Sequence, residues 1–209
     1  MEQNKPIEFE VRNSGVECRA VEREGRRYLE GYAAVFEQKS KLIHQWYDVF
    51  YEIIRKGAFD EVLKQDNLDV ILTTNHDYSK VIARTISGTL KLETDEKGLK
   101  YTAEMPDNIT YANDIYESVK RGDTFESSFT FMVDDSGQTY SVDESGVDLR
   151  YINSVKILRE VAPVTWGAYS NTEVSARGFK EFKENCTKKT QQIPLDIFKR
   201  KIHNLKLKK

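Results

Sequence analysis

The chain has 209 residues, of which 32 are basic and 34 acidic, and its formal net charge is -2. This length suits one globular domain with extensions and is short for two ordinary domains. The near-neutral charge gives no global case for nucleic-acid binding, and no apolar run approaches the ~20 residues that a membrane span needs. Because the charged start, residues 1–5, lacks the apolar region of a signal peptide, we expect a cytoplasmic protein with no membrane partner.

Short runs rich in Tyr, Val, Ile, Thr and Phe fill most of the chain before residue 177, and Gly, Asp or Asn residues separate them. Such runs are typical of β-strands. In chain order the predicted strands are 28–36, 69–73, 81–86, 89–93, 99–104, 125–133, 138–142, 152–158 and 161–168. The tetrapeptide 95–98 lies between two of them and predicts a hairpin turn in which Gly98 adopts a positive φ. Together these elements predict a meandering antiparallel sheet.

Two segments, 57–65 and 111–121, have apolar residues at helical spacing, and Gly122 is suited to end the second helix. Many strands with few helices favour a mainly β fold of the α+β kind. We therefore expect an antiparallel β-barrel with a few helices packed around it.

The composition changes after Arg177. Residues 178–209 hold ten Lys or Arg against three Asp or Glu. Apolar residues at three- and four-residue spacing follow Pro194 and predict a basic amphipathic helix. We therefore divide the chain into a domain, 1–177, and a basic C-terminal tail, 178–209. The tail is either a docking segment for an acidic partner or a solvated extension without a specific partner.

The sequence gives no sign of a metal or cofactor site. Cys18 and Cys186 are far apart, and no CxxC or Cys/His spacing indicates a metal centre, so we expect two reduced thiols. The chain also lacks the GxSxG elbow, the HExxH zinc motif and the glycine-rich Walker loop, which disfavours those enzyme classes.

The three histidines occupy different contexts. His203 lies on the predicted tail helix and His44 in an aromatic loop, whereas His76 follows the predicted strand 69–73. His76 therefore stands where an active-site loop would begin. A single histidine after a strand is more often structural, and that interpretation stays open.

A candidate nucleophile lies in the predicted strand 125–133. Because side chains alternate along a strand, one face carries Phe125, Ser127, Phe129 and Phe131, and the other carries Glu126, Ser128, Thr130 and Met132. We expect the phenylalanine face to be buried, which leaves Ser128 on the face where a substrate and a histidine could meet it. The alternative is that both serines are ordinary strand residues.

A serine enzyme needs a neutral imidazole to activate the hydroxyl and usually a third group to orient that imidazole. The candidates for this third group are Glu160 and Asp77. Glu160 interrupts an apolar run, and a buried acid is unfavourable unless it is paired; an ion pair with Arg159 would also satisfy it. Arg84, which follows the His76 loop, is a candidate for stabilising an oxyanion, but surface pairing explains it equally well.

Several segments in the same order resemble the prohead proteases of tailed bacteriophages and prophages, a family similar in fold to the herpesvirus assemblins. The resemblance covers about residues 26–177. The matching stretches are EGYAAVF at 30–36, IRKGAF at 54–59, NHD at 75–77, GTLKL at 88–92, DEKGL at 95–99, RGD at 121–123, SFTF at 128–131 and EVAPVT at 160–165.

The resemblance implies a serine endopeptidase of a herpesvirus-protease-like fold that acts inside the immature prohead, in the cytoplasm of the bacterial host. It implies Ser128 as nucleophile, His76 as general base and Glu160 as third member, with no cofactor. The implied partners are the major capsid protein and its scaffold segment, with self-cleavage, and it allows a portal-containing prohead and a homo-oligomer. Two alternatives are a non-catalytic capsid-assembly or scaffolding protein that retains the fold, and a peptide-binding or small-molecule-binding barrel.

Overall fold

The computed structural model describes residues 9–45 and 48–165. In this part of the chain the strands are β1 (Glu10–Glu17), β2 (Arg19–Arg23), β3 (Arg26–Val35), β4 (Ile43–Gln45), β5 (Asp48–Ile54), β6 (Ile71–Leu72), β7 (Ala83–Arg84), β8 (Leu90–Thr94), β9 (Gly98–Glu104), β10 (Glu126–Met132), β11 (Gln138–Val142), β12 (Asp148–Ile152) and β13 (Ile157–Val164). The helices are α1 (Asp60–Leu63) and α2 (Thr110–Arg121), and Asp135–Gly137 forms a 3-10 turn. The predicted mainly β character is confirmed.

The strands of the described residues form three sheets. The orders are β1-β10-β13-β6-β7, β11-β12-β5-β4 and β2-β3-β9-β8. Most neighbours are antiparallel, but β12 pairs with β5 and β13 pairs with β6 in parallel. The expectation of a simple antiparallel meander is therefore wrong. Each sheet is open within the described ranges, so the closed barrel stays a prediction.

The predicted strands agree best where apolar and polar residues alternate. Strand β11 has the predicted bounds, and β10 is one residue shorter at each end. The predicted strand 152–158 is wrong, because β12 ends at Ile152 and β13 begins at Ile157. Between them the backbone amides of Asn153 and Ser154 turn to bond the carbonyl of Gly137. Five strands, β1, β2, β4, β5 and β12, were not predicted; of β12 only Ile152 lies within a predicted strand.

The hairpin between β8 and β9 is confirmed, but its glycine serves a different purpose from the one predicted. The Asp95 carboxylate accepts hydrogen bonds from the amides of Lys97 and Gly98. Gly98 does not have a positive φ. A Cβ at this position would lie 2.0 Å from the carbonyl oxygen of Ala34, so the close approach of β3 requires glycine here.

Helix α1 is shorter than the predicted 57–65, whereas α2 matches its prediction within one residue and is followed by Gly122 at φ 84°. The core between the sheets is rich in aromatic rings. Phe59 lies 6.1 Å from Phe36 and 5.9 Å from Phe129 between ring centroids, and Phe129 stacks on Phe131 at 4.7 Å. These contacts bury the inner face of β10, as alternation along that strand requires.

Two sequence predictions fall outside the described ranges. One is the end of the predicted strand 161–168, of which β13 covers residues up to Val164. The other is the basic tail, 178–209, with Cys186 and His203. Within the described ranges, no helix combines the length and apolar character that crossing a bilayer requires.

Candidate active site

The candidate site lies on the face of the five-stranded sheet opposite the aromatic core, and Ser128, Thr130 and Glu160 are buried there. Strand register builds it: Thr130 of β10 pairs with Glu160 of β13, and Glu160 pairs with Ile71 of β6. Because side chains alternate, Ser128 shares a face with Thr130, and Thr73 shares a face with Ile71. Three adjacent strands therefore direct polar side chains to one place.

The two serines of β10 point to opposite faces, as predicted. Ser127 is fully buried, and its hydroxyl lies 2.9 Å from the hydroxyl of Tyr101 in the core. Ser128 points the other way and lies 2.9 Å from Nε2 of His76. The expectation of a buried phenylalanine face is wrong at its first member, since Phe125 is 43 % exposed. That residue precedes the strand, where the alternation no longer applies.

An unusual backbone presents His76. Asn75 and His76 have φ values of 50° and 60°, a left-handed conformation that few residues other than glycine and asparagine adopt readily. The backbone amide of Asn75 donates to the carbonyl of Pro163 at 3.0 Å. The side-chain oxygen of Asn75 accepts from the backbone amide of Thr165 at 2.9 Å. These bonds tie the loop to the end of β13 and place the imidazole between Ser128 and Glu160.

The His76 ring bridges the serine and the acid. Its Nδ1 lies 2.8 Å from Oε2 of Glu160, and the carboxylate is 0 % exposed. The hydroxyl of Thr130 donates to the same oxygen at 2.8 Å, and the hydroxyl of Thr73 donates to Oε1. Burial raises the pKa of Glu160. The hydrogen bonds from His76 and Thr73 and the electrostatic attraction of the His76 ring lower it by more than burial raises it, so the pKa lies below its ordinary value.

The charge state of Glu160 determines what the imidazole can do. An ionised carboxylate only accepts hydrogen bonds, so Nδ1 of His76 must carry a proton, and Nε2 of the neutral ring is then free to accept. An imidazole in this tautomer can take a proton from Ser128. The residues thus have the arrangement that converts a hydroxyl into a nucleophile.

This geometry agrees with the comparison to known proteins. A family model described as caudovirus prohead serine protease matches residues 14–185, most of the chain. The chain belongs to this family. Its members are bacteriophage serine proteases of capsid maturation. Among curated proteins and among solved structures, nothing matches the chain.

In this prohead protease family member β1 contacts the candidate nucleophile through Arg12, which lies two residues before the matched region. The Ser128 hydroxyl lies 2.9 Å from the carbonyl oxygen of Arg12, the same distance as from His76. A hydroxyl has one proton, so at any moment it donates to the imidazole or to the carbonyl. Only the first of these hydrogen bonds prepares the oxygen for attack.

A buried cluster of charges holds β1 in this position. The Arg12 guanidinium donates to Glu52 at 2.9 Å and to Glu10 at 2.6 Å, and Arg150 bonds the same two acids. Burial raises the pKa of Glu10, but the hydrogen bond and charge of Arg150 and the charge of Arg12 bring it below its ordinary value. The cluster joins the five-stranded sheet to the sheet that contains β5 and β12, and the sequence did not predict it.

The other sequence candidates lie outside this group. The carboxylate of Asp77 bonds Ser79 and Lys80, and these contacts lower its pKa to about 2. Arg84 forms two hydrogen bonds of 2.6 Å with the exposed Asp69, so surface pairing accounts for it.

His44 and Arg159 also lie outside the candidate site. His44 lies on β4, in a different sheet from Ser128. Arg159 packs on the ring of Phe9, so it is not the partner of Glu160.

Sequence reasoning did not assign roles to Thr73, Thr130 or Asn75. Thr130 was placed on the Ser128 face but not linked to the acid. The sequence places both threonines near the candidate catalytic residues, because Thr130 follows Ser128 by two residues and Thr73 precedes His76 by three. Their contacts to Glu160 depend on the pairing of β10 and β6 with β13, which alternation within a single strand does not reveal.

Proposed function

We propose that the chain is a serine endopeptidase with Ser128 as nucleophile, His76 as general base and Glu160 as the acid that orients the imidazole. The observation that supports the proposal is the continuous hydrogen-bonded path from Ser128 Oγ through the imidazole to the buried carboxylate, with distances of 2.9 and 2.8 Å. Nucleophile, base and orienting group within hydrogen-bond reach are the features by which such enzymes are recognised.

The reaction is acyl transfer to water. Ser128 Oγ attacks the scissile carbonyl carbon while Nε2 of His76 takes the hydroxyl proton, and the imidazolium then gives that proton to the departing amine. Water, deprotonated by the same nitrogen, attacks the acyl-enzyme ester, and the imidazolium returns the proton to Ser128 Oγ as the new carboxyl terminus leaves. Glu160 stabilises the imidazolium in both halves and remains ionised.

The proposed substrates are scaffold and major-capsid-protein segments within the immature prohead, in the cytoplasm of the bacterial host, and the chain itself. Membership of the prohead protease family supports this assignment. We also propose the closed, assemblin-like barrel as the complete fold, on the basis of the sequence resemblance.

The basic tail, 178–209, is proposed to dock the enzyme on an acidic scaffold or shell interior, because its ten basic residues contrast with the acidic remainder of the chain. Deleting the tail should lower incorporation into proheads, measured by immunoblotting purified particles. Unchanged incorporation would show that the tail is a solvated extension.

The decisive experiment is co-expression with the cognate capsid and scaffold proteins. We expect wild type and Ser127→Ala to cleave them and Ser128→Ala to leave them intact. Ser127→Ala is a matched control, because it alters the same strand on its inner face. Equal cleavage by all three proteins would exclude Ser128 as the nucleophile. Normal shell assembly with no cleavage by any of them would instead favour a non-catalytic assembly protein.

A further inference from the structure

The environment of Glu160 is unusual for a buried ionised acid. The side chain is fully buried, and no lysine or arginine of residues 9–45 and 48–165 lies within salt-bridge distance of it. An unpaired buried carboxylate would normally take up a proton. Three donors bond its oxygens directly: the imidazole of His76 and the hydroxyls of Thr73 and Thr130. The Tyr78 side chain also interacts with the carboxylate.

The hydroxyls of Thr73 and Thr130 bond different oxygens of the Glu160 carboxylate. Thr130 donates to Oε2, the oxygen that also faces His76, whereas Thr73 donates to Oε1. Thr130 comes from the strand on one side of Glu160, and Thr73 follows the strand on the other side. Donors on opposite sides stop the carboxylate from rotating away from the imidazole. They also stabilise its ionised form, because hydrogen bonds to a charged acceptor are the stronger kind.

The burial of both threonines supports a specific role. Thr73 is 0 % exposed and Thr130 is 3 % exposed, so water does not replace either hydroxyl when it is removed. Thr130 is the direct partner of Glu160 on β10, and Thr73 immediately follows β6. A valine has nearly the same shape as a threonine but no hydroxyl. The hydroxyl, rather than the shape of the side chain, is therefore the feature to be explained.

We propose that Thr73 and Thr130 are positioning residues that clamp Glu160 in its ionised form and thereby fix the Nδ1-protonated tautomer of His76. This inference rests on the proposed function of the same site. The threonine hydroxyls bond Glu160 and not Ser128 or Nε2 of His76. Loss of either hydroxyl leaves a carboxylate oxygen with a missing donor, which favours protonation or rotation of Glu160 and leaves His76 without its orienting partner.

Valine and serine substitutions in the full-length protein test the clamp. Thr73→Val and Thr130→Val keep the shape and remove the hydroxyl, and each should slow cleavage of the capsid protein by roughly 10- to 100-fold, the loss expected for a hydrogen bond to a charged group. Thr73→Ser and Thr130→Ser keep the hydroxyl and should retain most of the wild-type rate. Thr102→Val is the matched control, since Thr102 also donates to a glutamate, Glu30, but on another sheet.

A second measurement does not depend on cleavage. The proton on Nδ1 of a histidine bonded to a carboxylate gives a strongly downfield NMR signal. We expect this signal in wild type, in both serine variants and in Thr102→Val, and its loss or shift in both valine variants. A merely structural role for the threonines would leave the signal unchanged.

A double-mutant cycle separates loss of the bond to Glu160 from a general effect of the valine on the fold. In a Glu160→Gln background the charge is gone, so Thr130→Val should slow cleavage several-fold less than it does in wild type. An equal effect in both backgrounds, or folded valine variants with wild-type rate and NMR signal, would overturn the clamp. If wild type itself fails to cleave, or Ser128→Ala still cleaves, the proposed function fails, and the NMR signal alone then decides the clamp.

Discussion

Replacing Glu160 with glutamine should be milder than the same change in other serine proteases, and the reason lies in the three donors around the carboxylate. The amide has one oxygen where the acid has two. If that oxygen takes the position of Oε2, it still accepts from His76 and Thr130, and the amide nitrogen points at Thr73. A hydroxyl can accept as well as donate, so Thr73 can rotate to receive the amide proton.

The opposite orientation is unfavourable. It would direct the amide nitrogen at Nδ1 of His76 and at Thr130, and the ring would have to move its proton to Nε2 to accept from the amide. That tautomer cannot take a proton from Ser128. The surroundings therefore favour the orientation that preserves the working tautomer, and the variant loses mainly the negative charge that stabilises the imidazolium.

The size of the loss follows from the single interaction that changes. A hydrogen bond to a charged group contributes about 1.5–3 kcal/mol, and each ~1.4 kcal/mol corresponds to a tenfold change in rate. Glu160→Gln should therefore cleave about 10- to 150-fold more slowly than wild type. Where an amide forces the wrong tautomer in a serine protease triad, the loss is about 10⁴-fold. Glu160→Ala, which removes both charge and orientation, should approach this larger loss.

Single-turnover cleavage of purified capsid protein measures these rates, with Ser128→Ala as the background. The rate at which a fluorophosphonate labels Ser128 gives a second value that is independent of substrate binding. If Glu160→Gln falls as far as Glu160→Ala in both assays, the amide does not adopt the favoured orientation, and the role given to Thr73 as acceptor is wrong.

Three further predictions concern stability and loop geometry. Because the pKa of Glu160 in the folded protein lies below its ordinary 4.5, its ionised form stabilises the fold fully above pH 4.5, and this stabilisation is lost as the pH falls through the folded pKa. The free energy of unfolding in urea should therefore show this acid-induced loss in wild type and not in Glu160→Gln. Gly31→Ala places a Cβ 2.6 Å from the Tyr101 hydroxyl, so the free energy of unfolding should fall by about 1–3 kcal/mol, with partial recovery in Tyr101→Phe, and an unchanged value would contradict this packing. Asn75→Ala should lower both the melting temperature and the cleavage rate, whereas Asn75→Gly, which tolerates the positive φ, should recover the melting temperature but not the rate, because it lacks the bond to Thr165.

The local parts of the site could be predicted from the sequence. Alternation along β10 separated Ser128 from Ser127 because a single strand has a fixed period, and that period needs no knowledge of the neighbours. Glu160 stood out because an acid within an apolar run needs a partner. Both inferences concern one segment at a time.

The remaining features depend on pairings between distant segments. Strand β1 was missed because its polar sequence contains a buried Arg12, whose burial depends on Glu52 of β5 as well as on Glu10 of its own strand. Gly98 was given a turn conformation because nothing in its own segment reports the approach of β3. The parallel pairing of β13 with β6 likewise follows from the arrangement of the whole sheet.

The hydrogen-bonded path joins segments that are far apart in the chain. His76 and Ser128 are separated by 52 residues, His76 and Glu160 by 84, and Ser128 and its Arg12 contact by 116. Such contacts form late in folding, because each must close a long loop. A ribosome-bound chain that ends before β13 therefore carries the serine and the histidine without the acid. If the proposed mechanism holds, the nascent chain therefore lacks its complete catalytic group until β13 has been synthesised.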